Sequence, residues 1–116
     1  MLFYFYLTQG KEYVSKGCWT DKQDAQNPRA ITNIDGDIDE SYNNGHPYRN
    51  RQNPKQNCLD AALGREFRFF ALQDGGECWG TNEESKYKKY GSVTCQAEWD
   101  GKGDAMINHV YEILTG

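Results

Sequence analysis

Aliphatic side chains are scarce in this sequence, with 3 Val, 5 Ile and 6 Leu in 116 residues, against 3 Trp, 8 Tyr and 5 Phe. A coiled coil or long-helix bundle needs a repeating aliphatic stripe, and a membrane-spanning helix needs about 20 consecutive apolar residues. Neither is present, and the mean hydropathy of -0.93 agrees. No membrane insertion is therefore expected. Positive charge is also short: 13 Lys and Arg face 17 Asp and Glu, a formal net charge of -4. Binding to a phosphate backbone needs a basic face, so no nucleic-acid partner is expected. Disorder is excluded as well, because charged residues make up only 26% and large rings recur along the whole chain.

Catalytic and metal-binding patterns are missing too. The histidines are His46 and His109 alone, and there is no Ser-His-Asp order near a nucleophile elbow, no phosphate loop and no metal-ligand helix. No feature places two carboxylates across a cleft with one in an apolar pocket, as glycoside hydrolysis requires. The chain reads as a non-enzyme without a cofactor. Its cysteines, Cys18, Cys58, Cys78 and Cys95, lack the close C-x2-C pairing that would grip zinc. An even number spread through a domain poor in aliphatics favours two structural disulfides, in any of three connectivities. Disulfides imply an oxidising compartment, so the expected location is secreted or on the extracellular surface.

At 116 residues the chain has the size of a single domain. Its opening, MLFYFYLTQG, lacks the basic start and the small-residue cleavage site of a signal peptide. Residues 1–11 form an apolar segment, a strand or the remnant of a parent chain, and the domain proper spans 12–116. Glu12 to Trp19 reads as a first strand and Arg29 to Ile31 as a short second one. Thr32 to Asn53, rich in Asp, Asn and Gly, reads as a loop without a core strand. Asn53-Pro54 supplies an N-cap and a first-turn proline, and Gly64 a stop, which places the main helix at Pro54 to Leu63. Phe67 to Gln73 alternates as a central strand, and Gly75-Gly76 turns the chain into Glu77-Cys78-Trp79-Gly80. Thr81 and Glu84 have capping-box spacing for a short helix ending at Gly91. Ile107 to Leu114 reads as a closing strand beside the first. The expected architecture is α+β, a small disulfide-stapled domain with one main helix packed on a mostly antiparallel sheet, with long loops.

Gly17-Cys18-Trp19, Arg29-Ala30-Ile31, a helix bearing Cys58, the run FFALQDGGECWG and the terminal VYEI occur in this order. Over roughly Tyr13 to Ile113 this pattern resembles a WSC-like domain, an extracellular module similar in outline to Apple/PAN domains. It is closest to the four-cysteine variant in secreted and surface proteins of marine invertebrates. WSC domains carry eight cysteines. Ala62 and Gly80 stand where the second helix cysteine and the second turn cysteine would fall. If helix and turn are normally joined twice, the resemblance implies that the remaining link is Cys58–Cys78, with Cys18–Cys95 as the other pair. It also implies a recognition role, with a glycan or an extracellular protein as partner.

A carbohydrate site needs an exposed ring to stack on a sugar, with amides and carboxylates to bond its hydroxyls. Trp79 with Gln73, Asp74 and Glu77 is the leading candidate, and Tyr48 with Arg49 and Arg51 offers an aromatic and basic group for an anionic ligand. Trp19 is expected to pack over a disulfide. Asp35, Asp37 and Asp39 alternate as a weak calcium candidate in a mobile loop, without the glycine and terminal glutamate of an EF-hand. Lys86, Lys88 and Lys89 are expected on the solvated face of a short helix, offset by Glu83 and Glu84. An exposed Trp79 in a concave patch would favour carbohydrate, whereas a wide flat apolar patch, including Phe3 to Leu7, would favour protein adhesion.

Overall fold

The two most apolar alternations of the chain, FFALQ and INHVYEI, lie side by side in the middle of an antiparallel sheet. The computed structural model describes residues 12–38, 47–95, 103 and 105–114. The apolar segment 1–11 lies outside them. Strands β1 (Tyr13–Thr20), β2 (Thr32–Asn33), β3 (Phe69–Gln73), β4 (Glu77–Thr81), β5 (Ser92–Val93) and β6 (Ile107–Ile113) form one sheet in the order β2-β4-β3-β6-β1-β5. Helix α1 spans Pro54–Gly64, and a single-turn helix α2 spans Glu84–Tyr87. The architecture is α+β: one main helix on an antiparallel sheet, stapled by two disulfides.

Both faces of the central strands are covered. The β3/β4 register pairs Phe70 with Gly80 and Leu72 with Cys78 on one face, and Ala71 with Trp79 and Gln73 with Glu77 on the other. On the first face Leu59 and Ala62 of α1 pack with Phe70, Leu72, Tyr111 and Ile113. On the second, Ala30 and Ile31 of the loop after β1 and Tyr87 of α2 cover Phe69, Ala71, Trp79 and Val110. Two-sided burial explains why β3 and β4 are buried at every position and why the sheet alternates apolar and polar so weakly. Aromatic rings do much of the filling: Tyr13 meets Phe70 and Tyr111 edge-on at 5.4 Å, and Phe69 meets Tyr87 at 5.0 Å.

Cys58–Cys78 ties α1 to β4, and Cys18–Cys95 ties β1 to the segment after β5. Their separations are 20 and 77 residues, which chain-entropy reasoning converts to about 3 and about 4.5 kcal/mol of stabilisation.

Several local expectations are corrected by packing. The second strand is Thr32–Asn33, not Arg29 to Ile31, because Ala30 and Ile31 turn inward to cover the sheet. Thr32 to Asn53 is not purely loop: it contributes β2, and Ile34 is a core residue at 1% exposure. Asn53 sits left of the helix in the left-handed region (φ 49°) and makes no side-chain cap bond; Asn57 instead donates its amide to the Gln52 carbonyl at 2.8 Å. Thr81 ends β4, so no capping box forms, and α2 stops at Tyr87 rather than at Gly91. Trp19 does not lie over a disulfide. Adjacent strand residues face opposite sides, and its ring meets Tyr87 edge-on at 5.4 Å while Cys18 faces the other way.

Gly80 is the tightest point of the helix-covered face. The ring of Phe67, whose backbone N–H is held by the Ala62 carbonyl at 2.9 Å, lies where a side chain at position 80 would project. Gly80→Ala is expected to cost about 1–3 kcal/mol through overpacking, seen as a lowered midpoint in chemical denaturation with an unchanged slope.

A polar depression beside the buried Trp79

The β3/β4 hairpin turns through Asp74, Gly75 and Gly76, all with positive φ (52°, 84° and 134°). At Gly76 a Cβ would come within 2.7 Å of the Tyr48 carbonyl oxygen, so only glycine lets the segment carrying Tyr48 and Arg49 lie on this turn. That close approach builds the site. A depression of about 170 Å³ is lined by Arg29, Tyr48, Gln73, Asp74, Glu77, Ala105 and Met106.

Four of the seven residues expected to bind ligand, namely Tyr48, Gln73, Asp74 and Glu77, thus meet in one place. Their roles differ from the expectation. Trp79 is 4% exposed and cannot offer a stacking face, because Glu77–Thr81 is a strand covered on both sides rather than an open glycine turn. Its ring is capped by the Arg29 guanidinium, 4.8 Å from the ring centre. Gln73, 1% exposed, is engaged within the protein. It donates to Asp21 Oδ2 at 2.9 Å and Asn108 Oδ1 at 2.8 Å and accepts from Arg29 at 2.8 Å. Tyr48 is buried; its hydroxyl donates to Asp74 at 2.7 Å, and Arg49 donates to both Asp74 oxygens at 2.9 and 2.7 Å. Burial, then the Asp74 bond, pushes the Tyr48 hydroxyl far above its ordinary range, so it stays protonated.

Arg29, Asp21 and Asn108 were not marked by any sequence pattern. Asp21 follows β1 and accepts from the Ala30 N–H and from Arg29, both at 2.9 Å. A polar Gln at the end of an otherwise apolar strand is the one signal that a buried polar network lies there, and it names none of the partners.

The acidic run is likewise engaged by arginines. Asp35 is fully buried; it accepts from Arg51 at 2.8 Å and the Cys78 N–H at 2.9 Å through one oxygen, and from Asn33 at 2.8 Å through the other. Asp37 pairs with Arg65 at 2.7 Å, which holds its carboxyl below the usual range. Of the three calcium candidates, Asp35 and Asp37 are thus engaged as braces of the fold, and Asp39 lies outside the described residues. Among the described residues Cys18, Cys95 and His109 bring potential ligand atoms within 4.8 Å. Both sulfurs are joined to each other, so they are not available as thiolates.

No protein-family model, curated protein or solved structure matches the chain. The site is therefore read from its own chemistry.

Glu77 has a strongly perturbed carboxyl. Burial pushes it up to about 7; Asp35 adds to this, Arg29 opposes it, and Asp74 adds a smaller push. The Trp79 indole N–H pulls slightly the other way, although it closes no hydrogen bond of good geometry.

Two predictions follow from these groups. Because the folded Glu77 carboxyl titrates near 7 and the unfolded one near 4.5, the native state holds the extra proton between those values. Stability then falls as pH rises through that window, by about 3 kcal/mol in all. Glu77→Gln should flatten the dependence of melting temperature on pH between 4.5 and 7 and stabilise the protein at pH 8; an unchanged profile would contradict this. Removing Asp35 strands the Arg51 guanidinium, which is 5% exposed. Asp35→Ala is expected to cost about 3–5 kcal/mol in denaturant titration, while calcium leaves the wild-type melting temperature unmoved.

Proposed function

We propose that this chain is a non-catalytic recognition module of an extracellular protein, a four-cysteine relative of WSC-like domains, and that it contacts carbohydrate through the depression at the β3/β4 turn. The observation that carries the reading is the convergence of Tyr48, Gln73, Asp74, Glu77 and Arg29 on one concave surface. With Trp79 and Tyr48 buried, recognition would run through hydrogen bonds to sugar hydroxyls rather than ring stacking. Glu77, protonated over part of the physiological range, can donate as well as accept. Supporting the extracellular assignment are two disulfides in a small core, and no described helix is long and apolar enough to cross a membrane.

Adhesion to another protein is the second reading, favoured by the burial of Trp79, which removes the stacking platform a sugar site would use. The exposed large apolar residues among those described are Val14, Met106 and Leu114. These make no wide patch, and Phe3 to Leu7 lie outside the described residues.

A glycan array with the intact chain distinguishes the readings. Binding to one glycan class should weaken by about tenfold in Glu77→Gln, roughly the value of one charge-assisted hydrogen bond. This variant should keep the wild-type melting temperature or exceed it at pH 7. Silence of the wild type on every glycan class would leave adhesion as the function.

A further inference from the structure

The chain is acidic overall, yet it carries Lys16 on β1, Lys22 just after it, and Lys86, Lys88 and Lys89 on or just after α2. Lys16 pairs with Glu112 at 3.7 Å, Lys86 with Glu83 at 3.2 Å and Lys88 with Glu84 at 2.6 Å. Lys22 and Lys89 make no ion pair among the described residues. Each instead holds its ammonium against the ring of Tyr90, at 5.2 and 5.3 Å from the ring centre. The two ammonium groups therefore share one ring outside any ion pair among the described residues, with the Asp24 carboxylate near enough to Lys22 to feel its charge.

The ring that gathers them is fixed. The Tyr90 hydroxyl donates to the Pro28 carbonyl at 2.6 Å, and the next residue, Gly91, accepts from the Thr20 N–H at 2.9 Å. Beside it Trp19 is held by its indole N–H on the Lys16 carbonyl at 2.9 Å, with the Lys88 ammonium 5.5 Å from its ring centre. Trp19 and Tyr90 are both partly exposed. The result is a ridge of fixed aromatic rings edged by ammonium groups, two of them outside any ion pair among the described residues.

We propose that this ridge binds an acidic polysaccharide, its sulfate or carboxylate groups meeting Lys22 and Lys89 and its sugar rings lying against Tyr90 and Trp19. Positive charges held together on a fixed ring lose mutual repulsion when an anion sits between them, and the ring supplies an apolar surface that a pyranose can cover. Glu83 and Glu84 beside the ridge, in a chain of net charge -4, disfavour the denser phosphate array of a duplex. This inference shares only its ligand class with the reading above and uses different residues.

The test is binding of the whole chain to immobilised heparin, with hyaluronan as a carboxylate-only acid, and with neutral dextran, duplex DNA and phosphatidylserine vesicles as comparators. Heparin should bind and dextran should not, and log affinity should fall linearly with log salt with a slope of roughly 2 for the two lysines. Lys22→Gln with Lys89→Gln should weaken heparin binding by at least about tenfold while the melting temperature stays put. Lys55 of α1, whose ammonium lies 5.5 Å from the centre of the Tyr111 ring on the helix-covered face, is the control: Lys55→Gln and Glu77→Gln should not weaken heparin binding, so failure of the depression reading leaves this result intact. Binding to hyaluronan in addition assigns carboxylate as sufficient. The proposal is overturned by any of three results: no heparin binding, equal loss in Lys55→Gln, or DNA or vesicles bound as tightly as heparin.

Discussion

Burying both faces of the β3/β4 hairpin is the constraint on which the rest of this structure depends. A chain with so few aliphatic residues cannot cover two faces of a sheet with hydrocarbon alone. Aromatic rings fill one side beneath α1, and on the other a polar network of Asp21, Arg29, Gln73 and Asn108 is taken into the interior. Such a network is tolerable only when its members bond one another. Gln73 meets that condition with three partners. The Cys58–Cys78 bond then locks the helix over the same hairpin.

Arginine and aspartate pairing is the second organising theme. Arg51 with Asp35, Arg49 with Asp74 and Arg65 with Asp37 join segments well apart in the chain, and Arg29 with Asp21 closes the loop after β1. Planar guanidinium groups can bond a carboxylate and a carbonyl at once, as Arg51 does with Asp35 and Gly76. Acids that look like a free ion-binding loop in one dimension thereby become braces. The buried pairs are specificity devices more than sources of net stability, because desolvation offsets most of their attraction.

The same packing reshapes the recognition chemistry. Covering Trp79 with Arg29 removes an aromatic platform and leaves a polar depression rimmed by carboxylates, a tyrosine hydroxyl and guanidinium groups. Rings that remain partly exposed, Trp19 and Tyr90, stand instead among the lysines. On the proposed reading, sugar-hydroxyl contacts and charge contacts would fall to different residues.

Local signals in the sequence determined the helix with Cys58, the central strand ending at Gln73, the closing strand beside the first and the disulfide-stapled α+β class. Each rests on a period of two or 3.6 or on a Pro and Gly boundary, which are short-range properties. Choosing Cys58–Cys78 and Cys18–Cys95 needed the resemblance as well, since spacing alone left three pairings open. The tertiary structure decided the fate of ECWGT. Its glycines and charged first residue read as an exposed turn, but pairing with β3 and cover on both faces made it a buried strand. It also decided that Asp35 is a buried brace, that Gln73 is internal, and that Tyr48 meets Asp74 across 26 residues. Those outcomes depend on which distant side chain arrives at each position, and pairing between remote segments leaves no periodic mark in a single sequence.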